Sequence, residues 1–141
     1  MFWTRPTGSP VRKIPRIASI EFDIFDCTNL HAYFLPAIAD KMRIQLHRLS
    51  PPESAGFVGE FITNDDGRLE QGPALKGSTF IVGTYEWTFY VGDYFASKGT
   101  FISGTPFLDV IPLRFGIDNP DDHYHVPLLV SPWSFSTYRG S

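Results

Sequence analysis

Apolar and polar residues alternate with period two along much of this chain, as half-buried strands require. In "KMRIQLHRL" (41–49), Met42, Ile44 and Leu46 share one face, and Arg43, Gln45 and His47 share the other. "TYEWTFYVGDY" (84–94) sets Tyr85, Trp87, Phe89 and Val91 against Glu86, Thr88 and Tyr90. "IASIEFDIF" (17–25) does the same with Ala18, Ile20, Phe22 and Ile24 against Ser19, Glu21 and Asp23. "GFVGEFITNDDGR" (56–68) reads as a strand running into a tight turn, where Gly67 can take the positive φ such turns need. "DYFASKG" (93–99) predicts one short helical turn closed by Gly99. Strands resume at "VIPLRFGI" (110–117) and "HYHVPLLV" (123–130), split by the turn-forming "DNPDD". A helical period of 3.6 is held nowhere over about ten positions. Roughly seven short strands with frequent turns predict an all-β sandwich carrying one short helix.

Composition sharpens this picture in a few places. A length of 141 residues suits one domain with a real core. A net charge of −3 argues against a nucleic-acid binder, which needs a basic surplus. No apolar run approaches the roughly 18 residues that span a bilayer, so no membrane partner is expected. The single cysteine, Cys27, excludes an internal disulfide framework and fits a reducing compartment. Residues 1–16 hold Arg5, Arg12, Lys13 and Arg16, three prolines and no acid. They read as a flexible basic arm or a cryptic targeting segment, with the domain at 17–141. Cytoplasm is the default location, with the peroxisome as the alternative.

The chemistry concentrates near the C-terminus. Residues two apart on a strand share a face, so His123 and His125 project together while Tyr124 and Val126 point the other way. Imidazole titrates near neutrality, and such a pair suits proton transfer or ligation. A surface pair, with one histidine beside Asp121 or Asp122, fits the same pattern. Zinc needs further ligands, and Cys27, His31 and His47 lie scattered, so no metal is expected. Arg68 closes the "NDDGR" turn and by itself reads as a solvated turn arginine. "VGDYFASKG" lacks phosphate-cradling glycine spacing, nothing around Cys27 marks a nucleophile, and Ser131, Ser134 and Ser136 lie in no nucleophile elbow. The residues alone lead to a small β-sandwich with a histidine face.

The ending "HYHVPLLVSPWSFSTYRGS" (123–141) closely resembles the signature of the 5-hydroxyisourate hydrolases, the transthyretin-related enzymes of purine breakdown. Trp133 and Phe135 stand for two aromatics of that ending, and Ser134 for its glycine. "TNDDGR" (63–68), "GTYEWTFYVGDYF" (83–95) and "PFLDVIPLRFGI" (106–117) match in order, so the resemblance covers about residues 42 to 141. It implies a transthyretin-like (prealbumin-like) β-sandwich, a homotetramer with sites in the channel where dimers meet, and no cofactor. It also implies hydrolysis of 5-hydroxyisourate to 2-oxo-4-hydroxy-4-carboxy-5-ureidoimidazoline. In that reading His125 is the base or proton shuttle, Arg68 holds a carbonyl or oxyanion, and Ser141 orients water. Tyr138, Arg139 and Gly140 line the substrate, with His123 beside them. Transthyretin, the hormone-binding relative, lacks the Tyr-Arg-Gly-Ser ending.

The front of the chain departs from the family. Asp23 in "IEFDIFDCT" occupies the register of a first-strand histidine, and thirteen residues separate it from Pro36, four more than the family spacing. His31 is the nearest histidine. Three accounts meet this mismatch. Asp23 serves as an alternative base; or the chain is a weakened, transthyretin-like binding protein; or residues 1–40 come from a misread exon boundary.

Overall fold

A computed structural model describes residues 19–21, 24–26, 37–69, 73–99 and 104–140. The basic arm, Asp23, Cys27, His31 and Ser141 lie outside the described residues. The strands are β1 (Ser19–Glu21), β2 (Ile24–Asp26), β3 (Ala37–Ile38), β4 (Arg43–Ser50), β5 (Gly56–Ile62) and β6 (Leu75–Lys76). They continue as β7 (Gly83–Tyr90), β8 (Val110–Ile117), β9 (His123–His125), β10 (Leu128–Val130) and β11 (Phe135–Thr137). A helix, α1 (Val91–Ser97), follows β7 directly.

One sheet has the order β5-β4-β7-β8 and is antiparallel throughout. The facing layer comprises β6-β1-β9 and β11-β10-β2-β3. Here β1 runs parallel to β9, with Ser19 opposite His123 and Glu21 opposite His125. The same parallel register resumes where Ile24 meets Leu128. The expected strand 123–130 is therefore two strands, interrupted at Val126 and Pro127. A proline has no backbone N–H to give a ladder, so a break at this point is what its chemistry predicts.

The alternating residues meet between the layers. Met42, Ile44, Leu46, Tyr85, Trp87, Phe89 and Val91 are all fully buried, as the sequence pattern requires. They form one cluster with Ile24, Tyr124, Val126, Leu128 and Val130 of the opposite layer. Trp87 is its centre. Its ring stacks on Phe115 at 6.1 Å and meets Phe61 edge-on at 6.4 Å. Among the described residues, Thr63 is the polar side chain buried with them. Its Oγ1 accepts the Met42 N–H and donates to the Ala39 carbonyl, both at 2.8 Å, so the buried hydroxyl is satisfied.

The helix begins two residues earlier than "DYFASKG" suggests, because Val91 and Gly92 turn inward with Tyr94 and Phe95. Gly92 accepts a close approach by the loop before β8. Its N–H donates to the Asp109 carbonyl at 2.8 Å, and a Cβ there would collide with the Asp109 side chain. Gly99, at φ 71°, ends the helix as expected. Beside it, Lys98 Nζ donates to Asp40 Oδ1 at 2.6 Å, and this bond holds the Asp40 carboxyl below its ordinary value.

Candidate functional site

The terminal tail is held on the outer side of the histidine strand. After β10, a turn over 131–134 is closed by Ser131, whose backbone N–H donates to the Ser134 carbonyl at 2.8 Å. Ser131 Oγ also accepts the Ser134 N–H at 3.1 Å. β11 then returns antiparallel along β10, pairing Leu128 with Thr137 and Val130 with Phe135. All three residues of β11 are exposed, so backbone pairing rather than apolar burial fixes its path. Thr137 Oγ1 anchors the strand's end by donating to the Pro127 carbonyl at 2.7 Å.

Beyond β11 the chain reaches His125. The Gly140 N–H donates to the His125 carbonyl at 2.7 Å, forming an antiparallel bridge. The approach needs glycine. A Cβ at residue 140 would collide with His125 Nδ1 and lie 3.0 Å from its Cβ and Cγ. The tail thus packs against the imidazole itself. His123 and His125 are both half-buried, while Tyr124 between them is buried in the core. The alternation expected from the sequence holds.

Arg139 is fastened twice. Its guanidinium lies 4.2 Å above the Tyr124 ring, and its Nη2 donates to Asp122 Oδ2 at 2.8 Å. Asp122 Oδ1 meanwhile accepts the His123 N–H at 2.8 Å. That backbone bond first, and the Arg139 bond second, hold the Asp122 carboxyl below the ordinary carboxylate range. The sequence offered Asp121 and Asp122 as neighbours of a histidine. The partner that the geometry adds is Arg139, seventeen residues on. Tyr138 is exposed beside these groups.

Arg68 comes from a different part of the chain. Asn64 organises its turn, with Oδ1 accepting the N–H groups of Asp66 at 2.8 Å and Arg68 at 3.2 Å. The Arg68 carbonyl in turn accepts the Asn64 N–H at 2.7 Å. Gly67 takes φ 72°, the left-handed value expected for it. Its carbonyl accepts the Ile24 N–H at 3.0 Å, which ties the arginine's turn to β2. Since β2 pairs with β10, the turn is fixed to the layer that carries His125.

The structure therefore joins Gly140 to His125 and Arg139 to Asp122 beside His123, places Tyr138 with Arg139 in a pocket shared with Tyr124 and Val126, and ties the Arg68 turn to the same layer. His47 belongs elsewhere: it sits on β4 in the other sheet, its ring edge-on to Phe57 at 5.3 Å. Among the described residues, no three His, Cys, Asp or Glu side chains converge as a metal site would need. Two features could not be read from periodicity. One is the Asp122–Arg139 pair. The other is strand β11, exposed at all three residues, whose sequence signal is its place within the terminal motif.

Comparison with known proteins follows the same lines. Residues 33–140 match the model of the HIUase/Transthyretin family. The chain is 48% identical over 103 residues to 5-hydroxyisourate hydrolase 2 of Rhizobium meliloti, covering 73% of this chain and 84% of that one. It is 56% identical over 79 residues to the 5-hydroxyisourate hydrolase of Ralstonia nicotianae, covering 56% and 67%. The crystal structure of (S)-allantoin synthase superposes with a TM-score of 0.79 at 71% identity, over 87% of this chain. This chain spans only 43% of that longer chain. With most of its length matched and its sandwich and terminal motif in place, the chain belongs to the HIUase/Transthyretin family.

Proposed function

We propose that this chain hydrolyses 5-hydroxyisourate to 2-oxo-4-hydroxy-4-carboxy-5-ureidoimidazoline. The observation that carries this reading is the bridge from Gly140 to His125, which brings the Tyr-Arg-Gly of the terminal motif to the histidine strand. The hydrolase relatives at 48% and 56% identity support the substrate. The likeness to (S)-allantoin synthase supports a place for this step on a route to allantoin.

The substrate is a flat heterocycle rich in carbonyls and ring nitrogens. Opening its ring amide needs an activated water, a site for the developing oxyanion and a proton for the leaving nitrogen. His125 takes the proton from water as oxygen attacks the ring carbonyl. The C–N bond then breaks, and the imidazolium returns that proton to the departing nitrogen. Arg68 holds the oxyanion by charge-assisted hydrogen bonds. Ser141, one residue past Gly140, orients the water. Tyr138, Arg139, Gly140 and His123 line the bound ring, and no cofactor takes part.

The reading includes a homotetramer. Among the described residues, β8 is paired only with β7 and β11 only with β10. These two open edges flank an apolar pocket of about 180 Å³ floored by Leu113, Phe115, Tyr124 and Val126. Unpaired edges beside apolar surface call for cover, and a second copy offers matching edges. A solution mass of four chains by light scattering is the expected result; a monomer at working concentration overturns this part. The lone cysteine supports the cytoplasm as its location.

The activity is tested by generating 5-hydroxyisourate with urate oxidase and following its absorbance decay. The purified, folded chain is expected to accelerate decay over the spontaneous rate. Decay at the spontaneous rate, with folding confirmed by circular dichroism, rejects the hydrolase reading and leaves a transthyretin-like binder.

A further inference from the structure

We propose that Asp122 is the positioning residue of the catalytic tail: it fixes Arg139, and through it the Gly140–His125 contact. The inference rests on the hydrolase reading and adds a residue that touches neither substrate nor reacting atoms.

A segment that buries little apolar surface opens easily unless something ties it down. The segment after β10 is of this kind, with Phe135, Ser136, Thr137, Tyr138 and Arg139 all exposed. Its useful groups nevertheless have to be held to a fraction of an ångström at the reacting centre. Among the described residues beyond β11, one tie is the Gly140–His125 backbone bond. Two more run through Arg139, to the Asp122 carboxylate and to the Tyr124 ring.

Asp122 suits this task because its two oxygens serve different segments. Oδ1 is fixed by the His123 N–H, at the first residue of the histidine strand. Oδ2 is thereby aimed at Arg139. The carboxylate measures the tail against the same strand that carries His125. Tyr124 completes the seat. It is buried, and its hydroxyl accepts the N–H groups of Asp118 at 3.2 Å and Asn119 at 3.0 Å, so the ring cannot turn away. A planar guanidinium laid on that ring and joined to a carboxylate is held in orientation as well as position.

Arg139 keeps donors to spare. A guanidinium has five N–H groups, and Asp122 engages one terminal nitrogen. The arginine can therefore be anchored by Asp122 and still offer hydrogen bonds to a substrate carbonyl. Asp122 and Arg139 are each about half exposed (side chains 51% and 56%), and such pairs contribute little to overall stability. Its consequence is local order, which separates it from a fold-stabilising ion pair.

The test pairs tail order with turnover in Asp122→Asn and Asp122→Glu. Asparagine keeps an acceptor for the His123 N–H and removes the charge that holds Arg139. Asp122→Asn is expected to lower the exchange protection of the Gly140 amide about tenfold, with β7 amides unchanged. On 5-hydroxyisourate, kcat/KM is expected to fall about tenfold at an unchanged melting temperature, with Asp122→Glu recovering part of both losses. Unchanged Gly140 protection in Asp122→Asn overturns the proposal. So does a loosened tail with wild-type kcat/KM. If the wild-type chain shows no turnover, the hydrolase reading fails by itself, while Gly140 protection still decides whether Asp122 holds the tail.

Discussion

His125→Ala is expected to lower kcat/KM for 5-hydroxyisourate by about 10²–10⁴-fold, the span that general acid–base catalysis contributes. The argument starts from strand geometry. Tyr124 and Val126 are buried, which turns His123 and His125 together toward the outer side of their layer. Of the two, His125 is the one whose carbonyl and ring meet Gly140 of the tail. An imidazole changes charge near neutrality, so it can take a proton from water and return it to a leaving nitrogen. Truncation removes that capacity without opening the core, because the half-buried ring lies outside the apolar cluster. The coupled urate oxidase assay checks this. A folded variant with wild-type turnover overturns the assignment of the base, and His123→Ala, which leaves His125 in place, is expected to lose less.

Trp87→Ala is expected to destabilise the fold by about 3–5 kcal/mol, the usual cost of emptying a large aromatic site in a core. Trp87 is fully buried at the centre of β7, between β4 and β8. Phe89, Phe115 and Phe61 surround its ring at 6.1 to 6.4 Å. Facing aromatics held by two ladders of backbone bonds collapse poorly into a void, so the loss falls toward the upper end. Urea unfolding at matched protein concentration measures it, since association between copies also shifts the midpoint. A change below about 1 kcal/mol would mean that this centre repacks freely, against the ring geometry described.

Trp87 and its neighbours show which part of the fold could be read directly. Period-two alternation is a local property: each buried residue has a less buried neighbour on either side, and the burial of Met42, Ile44, Leu46, Tyr85, Trp87 and Phe89 follows it. Gly67 and Gly99 were legible for a similar reason, because a positive φ is a demand made on one residue at a time. Where the local rule is interrupted, the structure departs from simple alternation. Val91 continues the alternation of β7 yet opens the helix, since either conformation buries it. Pro127 lies inside an apolar run whose hydrophobicity hid the missing N–H.

For the site, the sequence by itself nominated the candidate residues. Alternation singled out the two same-face histidines, and the family resemblance marked Arg68 in "TNDDGR" and Tyr138 to Ser141 in the terminal motif. What the sequence could not determine was how an exposed tail is held, because all three residues of β11 are exposed and leave no periodic trace. Only the tertiary structure decided that. It turned the tail back along β10, closed Gly140 onto His125, and brought Arg139 to Asp122 across seventeen residues. The physical reason is one of range. Alternation and turn signals act between neighbours in the chain, whereas backbone pairing and a shared carboxylate act between segments that only folding brings together.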